Sequence, residues 1–228
     1  ITLVLNVIIW SALLWPKESL EPPQIIITSP LLSQQPWGQT IVNIFVWLFF
    51  LALLKYSSST KRLALMLCLV YATIGEVFLS LVWQLYEYRL HNIPLFIPPG
   101  HALLFTLGLI LAPKIPDWST WLFPIIIAVY TIFVVVTGID TLGGILFIAL
   151  LLCLVFGKAK KLYITMFLLS LVLEIYGTTV GNWTWNHDER WFGMVTTNPP
   201  VNAGAFYCML DLLIVSTMAI MKNRILSR

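Results

Sequence analysis

The sequence predicts an all-α, polytopic integral membrane protein with about eight transmembrane helices and a parallel internal repeat. Of its 228 residues, 59% are hydrophobic and only 10% are charged, and the mean hydropathy is +0.90. Soluble domains carry about 25% charged residues, so the soluble, disordered and disulfide-stapled classes are excluded. The other two observations are the alternation of basic loops along the chain and a repeated pattern of polar residues in its two halves.

Eight apolar segments are candidate membrane spans, because a helix needs about 20 apolar residues to cross the hydrocarbon core. The first residue is Ile1 rather than Met, so we expect the natural start to be missing and the first segment to be the remainder of a span. The sixth segment is the weakest, since glycines lie in its first turn and at both flanks. In chain order the segments are residues 1–15, 37–54, 63–85, 94–112, 118–137, 142–156, 162–181 and 200–221.

The basic residues support this number of spans. Loops after even-numbered segments, together with the C-terminus, carry all but three of the 13 Lys and Arg residues. Loops after odd-numbered segments carry only Lys17, Arg89 and Arg190. By the positive-inside rule, the even loops and both termini are predicted to be cytoplasmic. We expect the membrane to be that of a bacterial or archaeal cell. The net charge of +3 therefore indicates topology and does not indicate a nucleic-acid partner.

The two halves of the chain share one pattern of polar residues. A glutamate inside an apolar segment, Glu76 in one half and Glu174 in the other, is followed by an aromatic cluster and then by a pair of prolines. We expect residues 1–112 and 113–228 to form two four-helix repeats within one membrane-embedded domain. Because each repeat has an even number of helices, the two copies have the same orientation in the membrane.

Four polar residues are the candidate catalytic groups. At a rise of about 1.5 Å per residue, Glu76 and Glu174 lie roughly 20 Å from the cytoplasmic surface, and Asp211 lies near the bilayer centre. A carboxyl exposed to lipid at such a depth costs at least about 2.5 kcal/mol, so each one is either a functional acid or a hydrogen-bonded contact between helices. We expect functional acids to be neutral and able to donate a proton. His101 is either a general base or proton relay, or a helix cap.

The aromatic clusters have two interpretations. In the first, most of these rings form belts at the membrane interfaces. In the second, the rings nearest the glutamates line a cavity and stabilise a cation with their π faces. The clusters are Trp83, Tyr86 and Tyr88 in the first half, and Trp183, Trp185 and Trp191 in the second. The candidate substrate-binding residues are Trp83, Tyr86, Asn182, Trp183, Trp185 and Asn202. We expect the glutamates, His101 and Asn202 to meet at one cavity, without a metal or cofactor.

The segment that begins at Glu174 resembles a family signature. Glu174-x-x-Gly177-x-x-x-Gly181-x-Trp183-x-Trp185 is similar to the signature of the integral-membrane carotenoid biosynthesis family, which includes the bacterioruberin-pathway hydratases. Segment 93–98 resembles the hydrophobic segment of that family with two prolines four residues apart. The resemblance implies a cofactor-independent lyase of the hydratase type, or a cyclase, acting on an isoprenoid lipid.

The chemistry implied by this resemblance is acid–base catalysis on a carbon–carbon double bond. Glu174 or Glu76 would protonate an isoprenoid alkene, and aromatic faces would shield the resulting carbocation. Asn202, His101 or the second glutamate would position the water that captures it. Two other functions stay open from the sequence, a small proton-coupled transporter and a non-catalytic subunit of a membrane complex.

Overall fold

The computed structural model describes residues 37–226, with side chains up to residue 222, and this part of the chain is mostly helical. The first predicted span, residues 1–15, lies outside the described residues. Each of the other seven predicted spans is a helix. The helices are α1 (Trp37–Lys55), α2 (Ser59–Glu76), α3 (Ile97–Leu111), α4 (Ser119–Val136), α5 (Thr141–Phe156), α6 (Lys160–Thr179) and α7 (Gly204–Leu226).

Five of the described helices are long and apolar enough to cross a membrane. They are α1, α2 with its continuation to Val82, α4, α6 and the segment Val201–Lys222, whereas α5 is a shorter apolar helix. Large apolar side chains such as Ile125, Val129 and Phe133 on α4 are exposed on the outside of the bundle. An apolar outer surface on helices that satisfy their own backbone hydrogen bonds is typical of a helical membrane protein.

Residues at the helix ends explain where several helices begin. Ser58 caps α2 by accepting a hydrogen bond from the backbone N–H of Lys61, and Asp140 caps α5 by accepting one from Gly143 at 2.7 Å. These side chains satisfy N–H groups that have no partner inside the helix. Pro98 stands in the first turn of α3, where a missing N–H costs little.

Four helices form the centre of the bundle. Helix α2 packs against α3 and α7, and α6 packs against α7 and α3, so the four helices form a closed ring. Helix α1 lies against α3, and α5 lies against α7. The contact of α1 with α3 thus corresponds to that of α5 with α7, whereas the contacts of α4 with α5 and α6 have no counterpart among the described residues.

A small antiparallel sheet joins the two halves of the chain. Strand β1 (Tyr86–Tyr88) pairs with strand β2 (Trp183–Trp185), with Tyr86 opposite Trp185 and Tyr88 opposite Trp183. In each strand the first and last residues are buried, whereas the central residue, Glu87 in β1 and Thr184 in β2, is exposed. This alternation follows from the two-residue period of a strand.

The sheet corrects the interpretation of these aromatic residues as an interfacial belt. Tyr86, Tyr88, Trp183 and Trp185 are buried, with at most 9% of each side chain exposed, so they do not form a belt on the lipid-facing surface. Trp191, which is about half exposed, has the exposure expected of a belt residue. Hydropathy identifies an aromatic cluster near a membrane surface, but it does not indicate which way the rings point.

Candidate functional site

A cavity of about 470 Å³ lies inside the bundle, between the central helices and the sheet. Its walls are mostly apolar side chains from α1, α2, α3, α6 and α7. Both in-span glutamates, Glu76 and Glu174, line it together with His101. Ligand sites are typically about 300–1,000 Å³ and combine apolar walls with a few polar groups, so this cavity has the size and lining of a binding site.

The Glu76 carboxyl is held by three side chains. One oxygen, Oε2, accepts hydrogen bonds from the hydroxyls of Tyr86 at 2.9 Å and Tyr88 at 2.7 Å. The other oxygen, Oε1, lies 3.0 Å from Nε2 of His101. The second ring nitrogen of His101, Nδ1, is buried and has no hydrogen-bond partner among the described residues. His101 therefore has one ring nitrogen engaged by Glu76 and one that makes no hydrogen bond within the described part of the chain.

The Glu174 carboxyl is held in a similar way by the second strand. Its Oε2 accepts hydrogen bonds from the indole N–H of Trp183 at 2.8 Å and of Trp185 at 3.0 Å. The side chain of Tyr207, from α7, lies close enough to Glu174 to interact with it electrostatically, and its ring lies 4.8 Å from that of His101. The two carboxyls are close enough to interact electrostatically. The ring of helices and the sheet therefore bring two acids and one histidine to a single apolar cavity.

Two glycines explain how the chain turns from Glu174 to its tryptophan partners. Gly177 lies one turn beyond Glu174, and any Cβ at this position would overlap the six-membered ring of Trp183. Gly181 has a φ of +71°, a left-handed conformation that ends the helix and directs the chain into β2. The spacing of glutamate, glycines and tryptophans in the sequence thus has a geometric reason in this structure.

The first half of the chain makes the same turn with different residues. Gln84 has a φ of +59° and lies two residues before Tyr86, as Gly181 lies two residues before Trp183. Ten residue positions separate Glu76 from Tyr86, and nine separate Glu174 from Trp183. The segment Val77–Val82 is a π-helix, which accommodates an additional residue in a helix and so accounts for this difference.

An aromatic rim at one side of the cavity is organised by Glu189. The indole N–H of Trp83, a residue that lines the cavity, donates a hydrogen bond to Glu189 Oε1. The backbone N–H groups of Trp191 and Phe192 donate to the two Glu189 oxygens, each at 2.6 Å. Trp83 and Trp191 stack with their ring centres 5.3 Å apart. Glu189 therefore fixes Trp83 against the loop that follows β2.

These contacts predict an acid-sensitive loop. Burial alone raises the pKa of Glu189, but the hydrogen bonds from Trp83, Trp191 and Phe192 outweigh it and hold the pKa below its ordinary value of 4.5. An acid with a depressed folded-state pKa stabilises the fold above its unfolded pKa, and this stabilisation is lost as the pH falls through the folded pKa. We expect the unfolding temperature of the purified protein to fall below about pH 4.5, and we expect Glu189→Gln to weaken that dependence.

The neighbouring exposed acid provides the control for this prediction. Asp188→Asn removes a carboxyl from the same loop without touching the Glu189 hydrogen bonds. It should leave the acid sensitivity as in the parent protein. An unfolding temperature that falls equally in Glu189→Gln and in the parent protein would contradict the assigned role of Glu189.

The structure places two of the predicted site residues away from the cavity. Asn202 is buried, and its amide nitrogen donates to Thr131 Oγ1 at 2.8 Å and to the Gly143 carbonyl at 2.9 Å, so it ties α7 to α4 and α5. Asp211 is fully buried one turn beyond Tyr207, and neither of its carboxyl oxygens has a hydrogen-bond partner among the described residues. Neither side chain lines the cavity.

The other predicted site residues line the cavity, and two further residues join them. Tyr88 belongs to an aromatic cluster that the sequence reveals, but its bond to Glu76 depends on the strand. Tyr207 is missed by sequence reasoning, and the available signal is a phenol in the first turn of an apolar helix. The predicted residues at the cavity are Glu76, His101, Glu174, Trp83, Tyr86, Asn182, Trp183 and Trp185.

Within the described part of the chain, no three His, Cys, Asp or Glu side chains are grouped so that they could hold a metal ion.

We find no match to this chain among protein-family models, curated proteins or solved structures. The resemblance to the carotenoid biosynthesis family therefore stays a prediction.

Proposed function

We propose that this protein is a membrane enzyme that performs acid–base chemistry, hydration or cyclisation, on an isoprenoid or carotenoid-like lipid bound in the cavity. The observation that carries the proposal is that two hydrogen-bonded glutamates, Glu76 and Glu174, line the same apolar cavity as His101. A carboxyl inside a membrane protein is costly, so two of them at one cavity favour function over simple helix contact. An apolar cavity of this volume is suited to a lipid chain.

The environments of the two carboxyls differ, which favours different roles. Among the described residues, Glu174 has no hydrogen bond to a basic side chain that would take its proton, and it is proposed to deliver that proton to the double bond. Glu76 shares its hydrogen bond with His101, and this pair is proposed to take a proton from the attacking water or from the cation. The aromatic rings around both carboxyls would stabilise the positive charge that develops between them.

The same proposal includes a topology. It has eight spans in two parallel repeats of four, with both termini in the cytoplasm, and the first of these predicted spans, residues 1–15, lies outside the described residues. The correspondence between the contact of α1 with α3 and that of α5 with α7, together with the pairing of β1 with β2, supports this arrangement. The cavity and the sheet then lie toward the outer surface of the membrane, so the substrate would enter from the outer leaflet.

A comparison of lipid extracts tests the proposed function. Membranes from cells with and without the gene are extracted and analysed by mass spectrometry. We expect a product that requires the gene and has either the mass of its precursor plus one water, for hydration, or an unchanged mass, for cyclisation. Glu76→Gln should remove this product while the protein is still found in the membrane. Identical lipids with and without the gene would contradict the proposal.

A further inference from the structure

The charges around the cavity are unbalanced. Two acids line it, Glu76 and Glu174, and His101 is the only basic side chain that lines it among the described residues. The other groups bonded to the two carboxyls are phenols and indoles, which carry no charge. Buried charges in a low-dielectric site are usually paired. Once Glu174 has given its proton to the substrate, both carboxyls are ionised and His101 can balance at most one of them, so a positive charge on the bound ligand completes the pairing.

The walls of the cavity suit a cation that carries an apolar chain. The rings of Tyr86 and Trp185 lie 4.9 Å apart and those of His101 and Tyr207 lie 4.8 Å apart, all beside the two carboxyls. Aromatic faces attract ammonium groups, most strongly where water is excluded. The rest of the cavity wall consists mostly of apolar side chains, such as Leu104 of α3.

We infer that the cavity selects an amphiphile with one positive charge, held between Glu76 and Glu174 with its apolar chain along the helices. The inference rests on the proposed function in one respect, that the charge corresponds to the carbocation formed on an isoprenoid chain. An isoprenoid amine therefore binds in the place of that intermediate. The neutral substrate gains these contacts with the carboxylates and the aromatic faces only when it becomes charged. Contacts of this kind lower the barrier, because they are stronger in the transition state than in the ground state.

Binding of two matched isoprenoids tests this inference. The probes are N,N-dimethylfarnesylamine, which is protonated at neutral pH, and the neutral farnesyl methyl ether. Calorimetric titration into the full chain in lipid nanodiscs, corrected with empty nanodiscs, measures both affinities. We expect the amine to bind roughly tenfold tighter or more, the ratio given by one desolvated cation–π contact. Equal affinities for the two probes would overturn the inference.

Variants locate the preference within the molecule. Glu76→Gln and Glu174→Gln should each reduce the ratio of amine to ether affinity, whereas Glu87→Gln, on the exposed side of β1, should retain it. Trp185→Phe provides a second measurement if a glutamine variant fails to fold, because it removes one donor and part of a ring while both acids remain. A ratio that is unchanged in all folded cavity variants would overturn the inference.

The outcomes for binding and for turnover are separable. If the amine and ether bind alike while Glu174→Gln still abolishes product, the cation inference fails and the proposed function stands. If the amine preference depends on the two glutamates while no lipid product depends on the gene, the proposed enzyme fails and the cavity is a site for a cationic amphiphile.

Discussion

Replacing Glu174 by Gln should reduce product formation by roughly 10²-fold or more, the range typical for the loss of a general acid. The substitution keeps the shape of the side chain and an oxygen that can accept the indole hydrogen bonds of Trp183 and Trp185. It removes the proton that the carboxyl delivers and the negative charge that the carboxyl carries afterwards. The rate is measured by mass spectrometry in membranes that contain equal amounts of parent and variant protein.

The matched control for this variant is Glu87→Gln. Glu87 lies on strand β1, within the same sheet, but its side chain is exposed and bonds to His91 instead of facing the cavity. This variant should form product at the parental rate. Parental turnover by Glu174→Gln, in a folded protein, would contradict the role of Glu174 as the acid.

Replacing Gly177 by Ala should destabilise the protein by about 1–3 kcal/mol, the usual cost of overpacking a buried contact. The added Cβ overlaps the ring of Trp183, so the indole must leave its position and its hydrogen bond to Glu174. The free energy of unfolding is measured in detergent micelles. Gly75→Ala, in α2, is the control for stability, because a Cβ there meets no heavy atom within 4 Å.

A second substitution distinguishes this steric effect from a general loss of helix stability. Phe in place of Trp183 lacks the outer part of the indole, whose atoms Cη2, Cζ2 and Cζ3 the new Cβ would overlap. The double variant Gly177→Ala with Trp183→Phe should therefore be more stable than the sum of the two single effects predicts. Strict additivity would show that Gly177 does not act through its contact with Trp183.

The helices were predictable from the sequence because lipid imposes a simple rule. In the hydrocarbon core, a chain must satisfy its backbone N–H and C=O groups with internal hydrogen bonds, so long apolar segments become helices. The seven predicted spans within the described residues are all helices. The shared pattern of glutamate and aromatic residues likewise led to the cavity. Both predictions depend on residue type and spacing, which the sequence records.

The parts that were missed depend on orientation and on contacts between distant segments. The pairing of β1 with β2 buries Trp183 and Trp185, whereas their amphipathic composition also fits a surface belt. Asn202 follows a proline pair as His101 does, but its helix begins after a further 3-10 turn, and its amide bonds to α4 and α5. Asp211 has the same chemistry as the glutamates, and only the packing of α7 excludes it from the cavity.

The central claim is that the glutamates of this cavity transfer a proton to carbon. The most direct measurement incubates the purified protein in D₂O with membranes from cells that lack the gene, and then determines the mass of the lipid product after exchangeable positions are returned to hydrogen. Protonation of a double bond predicts one deuterium retained on carbon, and no such product with Glu174→Gln. A product without carbon-bound deuterium, or the same labelled product from Glu174→Gln, would contradict it.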